Sequence, residues 1–249
     1  MKRLLMMTMV FAVALMMLFA TALADTPAYS PQVEAQKLAV AAMYEKYGFT
    51  AHTIGVFTPS ITVGDNETRV LFHSYFLPSS RLGEYEVVIR GGEVTLAWSH
   101  DGKDLSAWQP GDPECPCWGP EQILAYEAQG LVDRDNWIKA YYAEGEAAQA
   151  EPSSVWQEMG LKPAPEAEGD LTRDEARQIA CAAMMDVFGL TEEDTEDLYA
   201  GCEKAIMLAA DGRRFREVRF ADKFKGFSLL VNAQTGEVFH IELFAGGNG

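Results

Sequence analysis

The side chains that could do chemistry in this chain are four cysteines and four histidines. The histidines are His52, His73, His100 and His240. A cysteine or serine nucleophile needs a base beside it, yet the sequence contains neither an HExxH nor a GxSxG motif and no glycine-rich nucleotide loop. The pattern therefore favours a protein without catalytic activity and predicts no cofactor. The alternatives are a secreted hydrolase that uses an unrecognised Cys/His site and a passive structural module without a specific partner.

The histidines have structural interpretations of their own. His73 and His240 fall in predicted strands, where a hydrogen-bonded structural histidine is the expected role. His100 precedes Asp101 at a predicted turn, so we expect this imidazole to be solvated.

The cysteine spacing bears on disulfides and on metals. Cys115 and Cys117 are separated only by Pro116, an awkward geometry for direct closure. A Cys-Pro-Cys metal site is an alternative, although a closed site needs about four ligands and no histidine is near. Cys181 lies on a predicted helix and Cys202 just before a predicted strand, so this pair is the disulfide candidate.

A run of carboxylates occupies residues 191–197, TEEDTED. Clustered oxygens could hold Ca²⁺ weakly, but the run lacks the turn glycine and alternating spacing of a calcium loop. A threonine followed by acidic residues is also typical of a helix N-terminus, where negative charge suits the macrodipole. The helix start is the favoured interpretation.

Two segments of the chain carry the same helical pattern. Residues 34–50 and residues 175–191 share eight identical residues out of 17 when aligned without gaps at an offset of 141. Both segments follow a capping sequence and end at a glycine. The capping residues are Ser30, and Thr172 with Glu175; the glycines are Gly48 and Gly189.

Each helix is followed by the same order of predicted strands, with a glycine turn between the last two. The turn glycines, Gly92 and Gly236, are expected to have positive φ. A sheet of this kind must bury one face, and the Ala-rich helix is the natural cover. The sequence therefore predicts an α+β fold of two units, each a helix on an antiparallel sheet. The predicted strands lie in residues 69–77, 84–98, 214–220 and 226–243.

The second unit resembles a PepSY domain. The resemblance rests on the helix sequence EARQIACAAMMDVFGL and the hairpin FSLLVNAQTGEVFHI, which has Asn232 where the family usually has Asp. The first unit is a more diverged copy without the Thr-Gly turn. The resemblance implies an exported, non-enzymatic module that binds and regulates an extracellular peptidase or a cell-envelope component. It implies no catalytic residues, and Gln234 in the hairpin turn is a candidate recognition residue.

Residues 103–169, between the two units, differ from them in composition. This insert contains four of the five tryptophans, a proline-rich turn segment and two predicted short helices, and it ends in a polar linker. The tryptophans either pack the insert against the first sheet or form an aromatic binding face for a partner. Trp108 and Trp118 are the candidates for such a face, and packing is the favoured interpretation.

The remaining predictions concern location and partners. Residues 1–24 have a basic start, an uncharged apolar run and an Ala-Leu-Ala end, which predicts a secretory signal peptide cleaved after Ala24; an uncleaved anchor is the alternative. The predicted parts of the chain are therefore the signal peptide (1–24), the first PepSY-like unit (30–102), the insert and linker (103–169) and the second PepSY-like unit (170–249). A net charge of −17 disfavours nucleic acid and anionic membranes as partners. We expect a secreted or envelope-associated protein with a protein partner.

Overall fold

The computed structural model describes residues 27–73, 82–128, 156, 158–196, 198–221 and 225–245. The predicted signal peptide, the second insert helix, Trp137 and the predicted strand end at residues 74–77 lie outside the described residues. Within them the chain forms five helices and eleven strands. The helices are α1 (Pro31–Tyr47), α2 (Ala51–Ile54), α3 (Pro120–Ala128), α4 (Arg173–Phe188) and α5 (Glu192–Glu196). The strands are β1 (Thr58–Val63), β2 (Thr68–His73), β3 (Glu84–Arg90), β4 (Glu93–His100), β5 (Lys103–Asp104), β6 (Lys162–Ala164), β7 (Tyr199–Cys202), β8 (Ile206–Leu208), β9 (Arg214–Ala221), β10 (Lys225–Asn232) and β11 (Val238–Ala245).

The two long helices begin and end where the sequence predicts. Ser30 caps α1, whose first residue is proline, and Thr172 and Glu175 form a reciprocal capping box at the start of α4. Gly48 and Gly189 end the two helices in the left-handed conformation, with φ of 71° and 63°. Only glycine adopts this conformation without a steric penalty from a Cβ atom.

The first sheet is an antiparallel meander in the order β1-β2-β3-β4-β5. Gly91 and Gly92 connect β3 to β4 with φ of 55° and 86°, which confirms the positive φ expected of Gly92. Two consecutive residues with positive φ match the twist of the flanking strands in a tight hairpin. The sequence predicted neither β1 nor β5, which form the two edges of this sheet.

The second sheet has the order β11-β10-β9-β8-β6. Strands β7 and β8 pair with the same edge of β9: β8 pairs with its first residues and β7 with its last. All the pairings within the two sheets are antiparallel. In the turn between β10 and β11, Gly236 has φ of 77°, as predicted. The side chain of Asn232 stabilises this turn by accepting hydrogen bonds from the backbone N–H groups of Gln234 and Thr235, at 2.9 and 3.1 Å.

The two units share one hydrophobic core. Helix α1 packs on the first sheet and also contacts β11 and α4, and most of the buried residues of both units form a single cluster. Hydrogen bonds join the units at this seam: the Tyr44 hydroxyl donates to the carbonyl of Phe188 at 2.7 Å, and Lys37 pairs with Asp186 at 2.6 Å. Although partial burial acts to raise the pKa of Asp186, hydrogen bonds from Lys37 and Tyr29 lower it, so the carboxylate stays charged at neutral pH.

The start of the chain completes the seam. The backbone of residues 28–30 lies along β11, where Val238 donates to Ala28 at 2.8 Å and Ser30 donates to Val238 at 3.0 Å. The hydroxyl of Ser30 donates to the carbonyl of Phe239 at 2.6 Å. These bonds satisfy backbone groups on the outer edge of β11, which would otherwise be open to pairing with another chain.

The insert contacts both sheets. Trp108 and Trp118 pack at the edge of the main core, and the Trp118 ring contacts Tyr126 of α3 at a tilt of 52°, with ring centroids 4.8 Å apart. The prediction that the tryptophans pack against the first sheet is wrong for Trp156. This residue lies in a separate cluster with Phe215 and Leu230, on the face of the second sheet away from α4. The sequence shows only that tryptophans are present, whereas the sheet that each one contacts depends on the path of the insert.

In the carboxylate run, residues 192–196 form helix α5 and Thr191 precedes it. Thr191 and Asp194 cap α5 reciprocally: the Thr191 backbone donates to the Asp194 carboxylate at 2.7 Å, and the Asp194 backbone donates to the Thr191 hydroxyl at 3.3 Å. The carboxylate thus supports the helix start, as the favoured interpretation predicts.

Candidate binding face on the first sheet

The first sheet has one covered and one uncovered face. Its strands alternate, so Val70 and Phe72 of β2 and Tyr85 and Val87 of β3 point to the core under α1 and are buried. The residues between them point to the opposite face. On that face the Leu71 side chain is 37% exposed, which is unusual for a leucine in the middle of a sheet.

A shallow groove of about 450 Å³ crosses this outer face. The strand register builds it: Leu71 pairs with Glu86 and Glu86 with Ala97, while Glu84 pairs with Ser99 and Ser99 with Asp104. Two neighbouring cross-strand rows thus place three carboxylates and one leucine side by side. The groove-lining side chains of these rows are Leu71, Glu84, Glu86, Ala97, Ser99 and Asp104.

Ion pairs order one side of the groove. Arg69 donates to Glu86 at 2.9 Å and to Glu67 at 2.7 Å, and Arg90 donates to Glu67 at 2.6 Å. Hydrogen bonds from the two guanidinium groups lower the pKa of Glu67, so these exposed side chains remain charged at neutral pH. Asp104 instead accepts from the backbone and hydroxyl of Ser106, at 2.8 and 3.0 Å.

The equivalent face of the second sheet is covered. Phe215 and Leu230 on this face are buried under Trp156, Met159 and Leu161. Glu217, also on this face, is buried and accepts hydrogen bonds from Arg219 at 2.7 Å and from Ser228 at 2.9 Å. A partner could therefore reach the outer face of the first sheet but not the equivalent face of the second.

The structure does not bring the predicted recognition residues into this groove. Gln234 is exposed at the tip of the β10–β11 turn, which belongs to the second sheet. Trp108 and Trp118 are partly buried against the main core. The sequence analysis missed Glu84, Glu86 and Asp104, although the alternation of Glu84 and Glu86 with Tyr85 and Val87 was a visible signal of an acidic outer face.

The four cysteines are thiols in the structure. Cys181 on α4 and Cys202 at the end of β7 are both half-buried and pack against the main core. Burial raises the pKa of each of these two thiols. The link between them stays a prediction.

His52 is exposed, whereas the other three histidines are partly buried. Burial lowers the pKa of His240 to about 4 and also lowers the pKa of His73. The expectation that His100 is solvated is wrong: its side chain is 12% exposed, with Nδ1 at 3.2 Å from the carbonyl of Leu82 and Nε2 at 3.5 Å from Asp101. The turn at residues 101–102 folds β5 back beside this imidazole, and that pairing was not visible in the sequence.

Comparison with known proteins does not show a family for this chain. No family model matches the sequence, and no curated protein matches it. Among solved structures, the chain is similar to a "putative lipoprotein" from Clostridium difficile 630, with 13% identity and a TM-score of 0.22, over 83% of this chain and 90% of that chain. A TM-score of this size carries no argument about function. In the part of the chain that the structure describes, no helix has the length and apolar character needed to span a bilayer.

Proposed function

We propose that this chain is an exported, non-catalytic binding protein and that the acidic groove on the first sheet is the surface that contacts its partner. The observation that carries the proposal is the uncovered outer face of this sheet, on which three carboxylates and an exposed leucine line one groove. The PepSY resemblance of the helix and hairpin sequences supplies the class of partner, an extracellular peptidase or a cell-envelope protein. The charge of the groove specifies a partner with a basic surface patch.

The chemistry of the groove suits such a contact. Carboxylates on the rim of an interface attract and orient a basic partner, and this attraction weakens as salt is added. Leu71 lies beside Glu86 in one of the two rows and offers an apolar side chain that loses contact with water in the complex. The covering of the second sheet by residues around Trp156 supports the choice of the first sheet as the contact surface.

The environment of the thiols weighs against the hydrolase alternative. A cysteine nucleophile acts as the thiolate, and catalytic cysteines therefore have lowered pKa values. Burial raises the pKa of Cys117 to about 12, and it raises the pKa values of Cys181 and Cys202 as well. These three thiols are protonated at neutral pH.

Capture from the secreted proteins of the producing organism tests the proposal. The chain from residue 25 onward is immobilised, and the bound proteins are identified and assayed for peptidase activity with and without the soluble chain. We expect a basic partner that elutes as salt is raised. Replacing both Glu84 and Asp104 by their amides should abolish capture, because it removes two groove carboxylates while keeping side-chain shape.

The matched control replaces Glu168 and Glu203, two exposed acidic residues outside the groove, by glutamine. It removes the same number of charges and should leave capture unchanged. Equal loss in both double variants would mean that only total charge matters, and capture by the groove variant at the level of the unmodified chain would refute the groove as the contact surface.

A further inference from the structure

Cys115 and Cys117 lie together in the turn-rich segment that follows β5. The backbone N–H of Cys117 donates to the Sγ atom of Cys115 at 3.4 Å, which draws the first sulfur back over the second residue. Pro116 between them has a fixed φ, and the chain bends at residues 116 and 117. The two thiols lie within hydrogen-bond reach of each other, whereas an extended chain would point them to opposite sides.

The surrounding segment holds this bend in place. The backbone N–H of Cys115 donates to the carbonyl of Asp112 at 2.9 Å, and the N–H of Gly111 donates to the carbonyl of Cys117 at 3.1 Å. The side chain of Gln122, at the start of α3, links the two ends of the segment from Gly111 to Gly119. It donates to the carbonyl of Gly111 at 3.1 Å and accepts from the N–H of Gly119 at 3.0 Å. The two thiols are therefore prepositioned in the folded chain.

The two thiols differ in access to solvent. Cys117 is 1% exposed and belongs to the main core, where a methyl group at Gly83 would lie 3.5 Å from its sulfur. Cys115 is only half-buried. Burial and the neighbouring Cys115 thiol raise the pKa of Cys117 to about 12. A reagent in solution therefore meets Cys115 first.

We propose that Cys115 and Cys117 are a redox-active dithiol that closes to a disulfide by exchange with a low-molecular-weight disulfide. The Cys115 thiolate attacks one sulfur of that disulfide, its S–S bond breaks, and one thiol leaves. Cys117 then loses its proton and attacks the Cys115 sulfur of the mixed disulfide, which releases the second thiol. The dithiol gives up two electrons and two protons, and the small disulfide is reduced to two thiols.

Oxidised glutathione is the probe, and digestion with trypsin separates the two cysteine pairs. Cys115 and Cys117 fall in the peptide of residues 104–134, and Cys181 and Cys202 fall in the peptide of residues 178–204. After incubation of the folded chain with the probe, the first peptide should lose about 2 Da and resist alkylation. A chain in which Cys181 and Cys202 are both serine should give the same result.

Two single variants test the order of attack. With Cys117→Ser the mixed disulfide should persist, and the peptide should gain about 305 Da at Cys115, as in S-glutathionylation. With Cys115→Ser the buried Cys117 should stay reduced over the same time. Each variant is examined by circular dichroism, so that modification is compared only among folded chains.

Three outcomes would overturn the proposal. One is a peptide of residues 104–134 that keeps two alkylatable thiols after the unmodified chain is treated. Another is an unmodified chain that stays at the mixed disulfide, which would mean that Cys117 cannot resolve it. The third is faster modification of Cys117 than of Cys115 in the folded single variants.

Discussion

The ion pair between Asp170 and Arg214 is expected to be the strongest single polar contribution to stability in the second unit. Asp170 accepts from the Arg214 Nε and Nη2 atoms at 2.9 and 2.7 Å, and Arg214 also donates to the carbonyl of Pro165 at 2.7 Å. The two side chains are 2% and 16% exposed, in that order. The pair fixes the linker to β9 and thereby positions the start of α4.

Replacement of Asp170 by asparagine keeps the shape and removes the charge. A hydrogen-bonded pair with this little solvent contact is worth about 2–3 kcal/mol, because the guanidinium would be left with an incomplete partner. For a chain of this size, that loss lowers the Tm by roughly 4–12 °C. The matched control is Asp211→Asn, which breaks a pair of similar geometry with Arg213 whose side chains are 52% and 42% exposed, and it should change stability little.

The dependence on pH provides a second test of the same pair. The hydrogen bonds from Arg214 hold the pKa of Asp170 below its ordinary value of 3.8. The stabilisation is therefore complete above that value and is lost as the pH falls through the lowered pKa in the folded state. Urea unfolding measured from about pH 5 down to about pH 2 should show the difference between the two chains shrinking at the acidic end. A difference that does not change with pH, or a loss no larger than that of Asp211→Asn, would refute the reasoning.

Two further predictions concern the second unit. Gly236→Val should lower the Tm by several degrees, because a side chain at φ of 77° is strained and its Cβ would lie 3.2 Å from Ile179. The control, Gly92→Val, has the same backbone strain but no neighbour within 4 Å, so it should lower the Tm less. Equal losses of Tm would rule out the Ile179 contact as a cause. Air-oxidised protein should contain a Cys181–Cys202 link, seen as a loss of about 2 Da in the peptide of residues 178–204, and free thiols at both positions would remove it.

Local signals predicted the elements that depend on local chemistry. The caps at Ser30 and Thr172 and the glycines at 48 and 189 set the ends of the two long helices, because each interaction lies within a few residues of the helix end. The turn glycines followed from the same reasoning. Strand β1 was missed because Pro59 lies inside it, and proline is tolerated there since β1 is an edge strand.

The groove and the seam depend on contacts that the sequence does not encode locally. Asp104 joins the groove only because β5 folds back onto β4 and pairs with Ser99. Trp156 covers the second sheet because the last part of the insert packs on that sheet. The seam requires Tyr44 and Phe188 to meet, although 144 residues separate them. Periodicity shows which residues are buried, but it does not show which residues they pack against.

The shared core has a consequence for how the two halves of this chain depend on each other. The two units repeat the same order of elements, yet the first helix contacts both sheets and residues 28–30 pair with the edge of β11. A fragment carrying only residues 170–249 would expose that edge and the apolar side chains beneath α1. Each unit therefore relies on the other to bury its side of the seam, and a substitution there alters the packing of both.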